Sequence, residues 1–314
     1  MTPPAEDRRP VSYETIRLET DGAVARLSLD RPAVLNAINR VMIREIHAAL
    51  DRVEADEAVR VLIVQGTGRA FSAGFDLKES AAEPIRGIAA WREVLKRDLD
   101  MTMRFWRLAK PTIAAVHGFC LAGACELAVA CDITIAADDA VFGEPELRFG
   151  SGIVTLILPW IVGPKRAKEL LLTGNDRVSA AEAHAMGLVN RVVPRAELEA
   201  EALRVARTIA VMDGGAVRLT KEAINRAADI MGLAQALEAG VDLAVQVEAL
   251  DTPERREFDA IRRRDGLKAA LAWRDARFGA PGQTIPPNEK LERDEPRATS
   301  TDPRPDDCTR GQLA

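Results

Sequence analysis

Residues 118–132 read GFCLAGACELAVACD, a run of small and apolar residues with one carboxylate, Glu126, at its centre. Placing a carboxylate among groups suited to burial is costly unless the charge is paired, hydrogen-bonded or used. Gly118 and Gly123 bracket a turn between a strand-like and a helix-like segment. The amides that open a helix have no partner within it and carry the positive end of its dipole, so they can hold an oxyanion. A second glycine-punctuated loop, AFSAGFD at 70–76, offers another free amide just after Gly74. Two such amides converging on one point form an oxyanion hole, each donor supplying about 2.7–4 kcal/mol in a transition state. Glu126 then has two readings: an N3 carboxylate that satisfies the helix start, or a proton-transfer group. The stretch VFGEPELRFG sets Glu144 and Glu146 beside Pro145, after a strand. Glu146 is either a surface or salt-bridged acid or the second proton-transfer group. Two such acids close together would suit general acid–base work.

Other chemistries find little support. No G-x-x-x-x-G-K-[ST] phosphate loop and no G-x-S-x-G elbow is present, and GSGIVT lacks the third glycine of a dinucleotide fingerprint. Of three histidines, His117 closes a strand before the glycine turn and His184 lies in an alanine-rich helix, both structural positions. Cys120, Cys125 and Cys131 are spaced C-x4-C-x5-C, which matches no zinc knuckle and reads as buried apolar thiols.

The 314 residues, 47% hydrophobic and 29% charged, describe a globular chain, and a net charge of −5 gives no footprint for nucleic acid. No apolar run is long enough to span a bilayer, and the start MTPPAEDRRP lacks an apolar signal core, so a cytoplasmic protein is expected. YETIRLET and AVARLSL alternate as strands about Asp21-Gly22, a hairpin signal. From Asn39 a helix is expected, with Met42, Ile46, Leu50 and Val53 on one face. VRVLIVQG and PTIAAVHG are buried strands, 84–108 and 123–131 are helical, and DITIAA and Val141-Phe142 are further strands. From about residue 155 helix dominates, with one helix stopped at Gly187 before a strand. Trp91, Met101, Met103, Phe105 and Trp106 line an acyl tunnel or pack a helical core. Arg262, Arg263 and Arg264 present a solvated face, a subunit or phosphate contact being the alternative. The division is a loose arm at 1–11, an α/β core at 12–200, a helical region at 201–278, and a proline-rich, disordered tail at 279–314 that carries Cys308.

AFSAGFDLKE at 70–79, GFCLAGACELAVACDI at 118–133 and FGEPELRFG at 142–150 together resemble the enoyl-CoA hydratase/isomerase (crotonase) superfamily. LDRPAVLNAI at 29–38 and LLLTGNDRVSAAEAHAMGLVNRVV at 170–193 support the resemblance, which covers roughly residues 12–278. It implies an α/β fold, a spiral of ββα units followed by a helical trimerisation region, and a homotrimer or dimer of trimers. It implies acyl-CoA thioester substrates, coenzyme A being part of the substrate, with no metal or other cofactor. The oxyanion amides fall on Phe75 and Gly123, and the two glutamates that hold and activate water fall on Glu126 and Glu146. The intact pair favours a hydratase; an isomerase, a dehydratase, a C–C hydrolase or a non-catalytic acyl-CoA binder are the alternatives. Arg31, Ala73, Asp76 and Lys78 fall at coenzyme A positions, Asp76 in a structural part and Lys78 toward a phosphate. Two departures stand out. Val154, Leu156, Ile157 and Trp160 replace small residues after the second acid, and Ala33 replaces a frequent basic residue after Pro32.

Overall fold

A computed structural model describes residues 12–278 apart from 83, 84, 86 and 251. The expected arm at 1–11 and the expected tail with Cys308 lie outside the described residues.

The chain begins with the antiparallel hairpin β1 (Ile16–Asp21) and β2 (Val24–Leu29), turning at the expected Asp21-Gly22. Helix α1 (Arg40–Ala55) starts where Asn39 accepts a hydrogen bond from the Met42 amide, and it buries the Met42, Ile46, Leu50 and Val53 stripe. Next come β3 (Val61–Gly66), β4 (Ala70–Ser72), α2 (Leu77–Ala82), α3 (Ile88–Arg107), β5 (Thr112–Val116), β6 (Phe119–Leu121), α4 (Gly123–Ala130), β7 (Ile133–Ala137) and β8 (Val141–Gly143). They are followed by α5 (Leu158–Ile161), α6 (Gly163–Thr173), β9 (Val178–Ser179), α7 (Ala180–Ala185) and β10 (Arg191–Val193). Helices α8 (Leu198–Ala210), α9 (Gly214–Ile230), α10 (Leu233–Ala249), α11 (Pro253–Asp265) and α12 (Leu267–Ala276) complete the chain.

Strands β3, β5 and β7 belong to one sheet, ordered β1-β2-β3-β5-β7-β10, and the short strand after each belongs to another, ordered β4-β6-β8-β9. Each turn therefore gives one strand to each sheet before its helix, which makes a spiral of ββα units. Strands β4 and β6 sit where the sequence presents glycine-rich loops; three residues are too few to show an alternating pattern. The spiral encloses α4, all eight residues of which are buried. Its Gly, Ala and Cys content follows from that enclosure, because elements on every side must approach closely. Cys120, Cys125 and Cys131 are free, buried thiols, and burial pushes Cys131 up to about 12.

The C-terminal helices pack back onto the spiral. Phe258 of α11 stacks on Phe149 at 5.7 Å between centroids, and Arg274 of α12 reaches Asp176 at 3.6 Å. The run Arg262–Arg264 splits rather than forming one solvated face. Arg264 pairs with Asp265 at the surface. Arg262 turns inward, pairs with Asp259 at 2.7 Å and donates to the Leu77 carbonyl of α2 at 3.3 Å. Met101, Met103 and Phe105 are fully buried in the main core.

Lys221 is the one buried residue of α9. Its ammonium lies 2.7 Å from Asp132, just beyond α4, and donates to the Lys110 carbonyl at 3.2 Å. Asp132 also accepts from the Thr112 amide at 2.7 Å, yet burial still holds its carboxyl above the usual range. Lys221→Ala leaves that carboxylate without its cation and is expected to cost about 3 kcal/mol at neutral pH. Asp132→Asn added to it should recover part of the loss. Urea unfolding of the single and double variants checks this; equal stability of wild type and Lys221→Ala would show the pair to be dispensable.

Candidate active site

The loop after β4 is held by α1's approach. Ile38 donates to the Gly74 carbonyl at 2.8 Å and Asp76 donates to the Ile38 carbonyl at 2.9 Å. These bonds flank Phe75, whose own amide has no hydrogen-bond acceptor among the described residues. Gly74 has φ +86°, and a Cβ there would lie 2.8 Å from the Leu121 carbonyl and 3.3 Å from the Gly123 nitrogen. So the loop lies directly against the start of α4, where the Gly123 amide is also without an acceptor among the described residues. The Phe75 ring covers Gly123 so closely that a Cβ would fall 2.3 Å from it. Ala122, which leads into α4, is forced to φ 56° and ψ −137°. A side chain in that region costs about 1–3 kcal/mol. Two free amides thus stand side by side, one held by a strained turn and one by a glycine.

Around them, Arg31 donates to Asp76 at 2.8 Å and to the Ala37 carbonyl at 2.5 Å. Asp76 also accepts from the Lys78 amide at 3.0 Å, capping α2. Arg31 and Asp76 therefore bind one another across the loop. The Ala73 amide donates to the Leu35 carbonyl at 2.9 Å, and the Lys78 side chain is exposed.

Glu126 projects from α4 with 1% of its surface exposed. One carboxyl oxygen accepts from the Thr155 amide at 2.7 Å, and the other has no partner in the chain. Glu146 opens the 3-10 turn Glu146–Phe149, is buried, and likewise has one unpartnered oxygen. Burial raises Glu126 to about 7, against the pull of the Thr155 amide, with Asp98 adding to the rise. Burial and the charge of Glu126 raise Glu146 to about 8, while Arg274 opposes the rise. Glu144 is a third fully buried acid, with both oxygens unpartnered. Burial, then Glu146 and Glu126, hold its carboxyl far above the usual carboxylate range.

Sequence reasoning expects Glu126, Glu146, Phe75 and Gly123 at one site; Phe75 lies against Gly123 at the start of α4, and Glu126, one turn into that helix, interacts with Glu146. Sequence reasoning passed over three contributors. Thr155 acts through its amide, so its side chain carries no signal. Asp98 of α3 is buried between Leu95 and Leu99, and a charge on that apolar stripe was a readable signal. Arg97 pairs with it at 2.7 Å, and burial raises it to about 6. Glu144 stands in plain view beside Pro145, but nothing in its spacing says that it is buried. The bulky residues after Glu146 do not fill the site uniformly: Ile157 joins the core, and Leu156 lies against Gly240 of α10. His117 and His184 each bond a backbone carbonyl at 3.1 Å. A small cavity of about 30 Å³ opens beside Phe75, lined by Ile38, Ile43, Val94, Arg97 and Asp98 among others.

The sequence profile of the family described as "Enoyl-CoA hydratase/isomerase" matches residues 19–259. A solved enoyl-CoA hydratase/isomerase from Xanthobacter autotrophicus Py2 is 54% identical, with a TM-score of 0.84 over 86% of this chain and 100% of that one. A probable enoyl-CoA hydratase of Rhizobium meliloti is 37% identical over 85% of this chain and 99% of its own length. A crotonyl-CoA hydratase of Syntrophomonas wolfei is likewise 37% identical, over 85% of this chain and 99% of its own. With two free amides and a buried acid pair on a ββα spiral, the chain belongs to the enoyl-CoA hydratase/isomerase family.

The acids also set a pH dependence of stability. Glu126 and Glu146 keep protons in the folded state, at about 7 and about 8, that the unfolded chain releases near its ordinary value of 4.5. Stability must then fall as pH rises toward 8, by about 1.4 kcal/mol per pH unit for each proton held. His47 and His117 are lowered mainly by burial, so they act in the opposite direction but only below about 6.5. Chemical denaturation from pH 6.5 to 8 should show wild-type stability declining and the Glu146→Gln decline shallower. Wild-type stability that rises over that window would contradict the raised acids.

Proposed function

We propose that the protein is an enoyl-CoA hydratase, adding water reversibly to a 2-enoyl-CoA thioester to give a 3-hydroxyacyl-CoA. The observation that carries the reading is the pair of buried acids, each with one unpartnered oxygen, beside two unpartnered amides. The thioester carbonyl would accept from the Phe75 and Gly123 amides. These stabilise the enolate oxygen as charge builds on it, which makes C3 electrophilic. Glu126, the less strongly raised of the two acids, takes a proton from water as its oxygen bonds to C3. Glu146, the more strongly raised, delivers its proton to C2. Proton exchange within the coupled pair restores the starting state. Oxidation state is unchanged overall and every proton comes from water or an acid, so the reaction calls for no metal or redox cofactor. Coenzyme A enters as part of the substrate, with Lys78 exposed on the rim and available to a phosphate. Three cysteines kept as buried thiols suit a reducing compartment, the cytoplasm.

The protein would work as an assembly of copies of itself, a trimer or a dimer of trimers. Helix α9 buries Lys221 alone in the chain and leaves Leu219 and Ile230, which share one helix face, more than half exposed. An apolar face of that kind on a stable helix needs a partner. Ile230→Asp should shift the assembly toward monomer in sedimentation velocity. A wild type that is monomeric at micromolar concentration would dispose of the assembly.

Glu126→Gln and Glu146→Gln should each lower kcat on crotonyl-CoA by at least about 10²-fold. The double variant should be little worse than the poorer single, because both act on one water. Loss of enoyl-thioester absorbance follows the reaction. A silent Glu126→Gln would rule out hydration as assigned. Turnover of a 3-enoyl ester with one acid dispensable would point to isomerisation.

A further inference from the structure

Segment 150–157 follows the second acid and hydrogen-bonds to both, yet contains no strand and no helix. At one end the Ser151 amide donates to the Glu146 carbonyl at 3.1 Å. At the other the Thr155 amide donates to the Glu126 carboxyl at 2.7 Å. No sheet ladder holds it, so something else must fix where those amides point.

That role falls to Glu248, near the end of α10. It lies on the helix's apolar stripe with Val241, Ala244 and Val245, and its side chain is 4% exposed. One carboxyl oxygen accepts from the Gly152 amide at 3.0 Å and from the Ser151 hydroxyl. The other pairs with Arg255 of α11 at 2.7 Å. Arg255 also donates to the Glu248 carbonyl at 3.0 Å, and its guanidinium lies 5.3 Å above the Trp91 ring of α3. Gly152 is pressed onto α10 so tightly that a Cβ would lie 3.0 Å from Ala244. A buried ion pair adds little stability over apolar residues of the same volume. What this one adds is geometry: a carboxylate with both oxygens occupied, bonded at Gly152, which lies two residues from Val154 and three from Thr155.

We propose that Glu248 is a positioning residue for the acid pair, fixing segment 150–155 so that the Thr155 amide meets Glu126 and the Ser151 amide meets the Glu146 backbone. The helical C-terminal region thereby sets the protonation of the site. The kinetic part of this inference rests on the hydratase reading; the structural part does not. The groups that face Glu126 are Asp98 from α3 and Glu144 and Glu146 from the turn after β8, and none of them is altered in the test.

Two measurements on the full chain decide it. The first is a 13C titration of the Glu126 carboxyl in substrate-free protein, assigned by its disappearance in Glu126→Gln. In Glu248→Ala the Thr155 amide is released and Glu126 should titrate higher by about one unit, since a hydrogen bond to the charged form is lost. Glu248→Gln keeps an acceptor for Gly152 and Ser151 and should titrate as wild type. Should Glu248→Ala fail to fold, Ser151→Ala, which removes one of the two bonds, should move Glu126 the same way by less. The second is the pH profile of kcat on crotonyl-CoA. Its limb should move with the titration, with kcat falling about 10-fold and KM nearly unchanged in Glu248→Ala. Glu248→Gln should restore most of that rate. A folded Glu248→Ala with an unmoved Glu126 titration overturns the proposal, even if its stability has dropped. A moved titration in a protein that never hydrates crotonyl-CoA supports the positioning role and discards the hydratase reading instead.

Discussion

A carboxylate taken out of water loses hydration worth several kcal/mol even after the protein relaxes around it. Glu126 makes that demand from α4, a helix with no solvent face. Two responses are visible. One oxygen receives the Thr155 amide, which favours the charged form, and burial raises the group so that it shares the neutral range between both forms. The rest follows from keeping α4 enclosed. Both sheets must close on it, so its residues are small. The loop carrying Phe75 must lie against its first amide, so residue 74 is glycine. Ala122 accepts a backbone conformation unsuited to a side chain, because a helix starting one residue later would move the Gly123 amide away from Phe75.

The helices that follow the spiral return to this same region, and several do so with an ion. Helix α9 brings Lys221 to Asp132, at the end of α4. Helix α10 brings Glu248 to the segment between the acids. Helix α12 brings Arg274 to Asp176, where its charge also acts on Glu146. Apolar residues could pack such places at similar or lower free energy, but they would tolerate small slips of one helix along its neighbour. A charged group with fixed partners does not. The C-terminal helices thus have two faces with different duties, one locked by ions onto the site and one, on α9, left apolar toward solvent.

How much of this the sequence disclosed depends on where the signal resided. The hairpin at Asp21-Gly22 and the α1 stripe follow from local pattern, and both stand where expected. The two loops with free amides were legible because glycine marks them; the acids were legible because a charge in an apolar run is anomalous. Strands β4 and β6 were not, since three residues carry no periodicity and their pairing is entirely long-range. Thr155 contributes a backbone group, and any residue but proline has one. Arg262 sits in a charged run that implies solvent, and only the packing of α11 on α2 turns it inward. Glu248 looked like one more acid near a helix end, though its place on the Val241–Val245 stripe was a sign of burial.

Glu144 gives the acid pair a property that two acids alone would lack. Hydration needs one carboxyl charged and the other protonated at the same instant. A lone pair of buried acids meets that condition over the interval between its two macroscopic titrations. Glu144 lies in the same buried cluster with neither oxygen bonded, and three carboxyl groups so close cannot all ionise near neutrality. Burial and its two acidic neighbours raise Glu144 as well, so the three carboxyl groups oppose one another's ionisation. A permanent negative charge at this position would raise Glu126 and Glu146 together. The apolar enclosure that makes burial of Glu126 costly is therefore also what raises its third neighbour most.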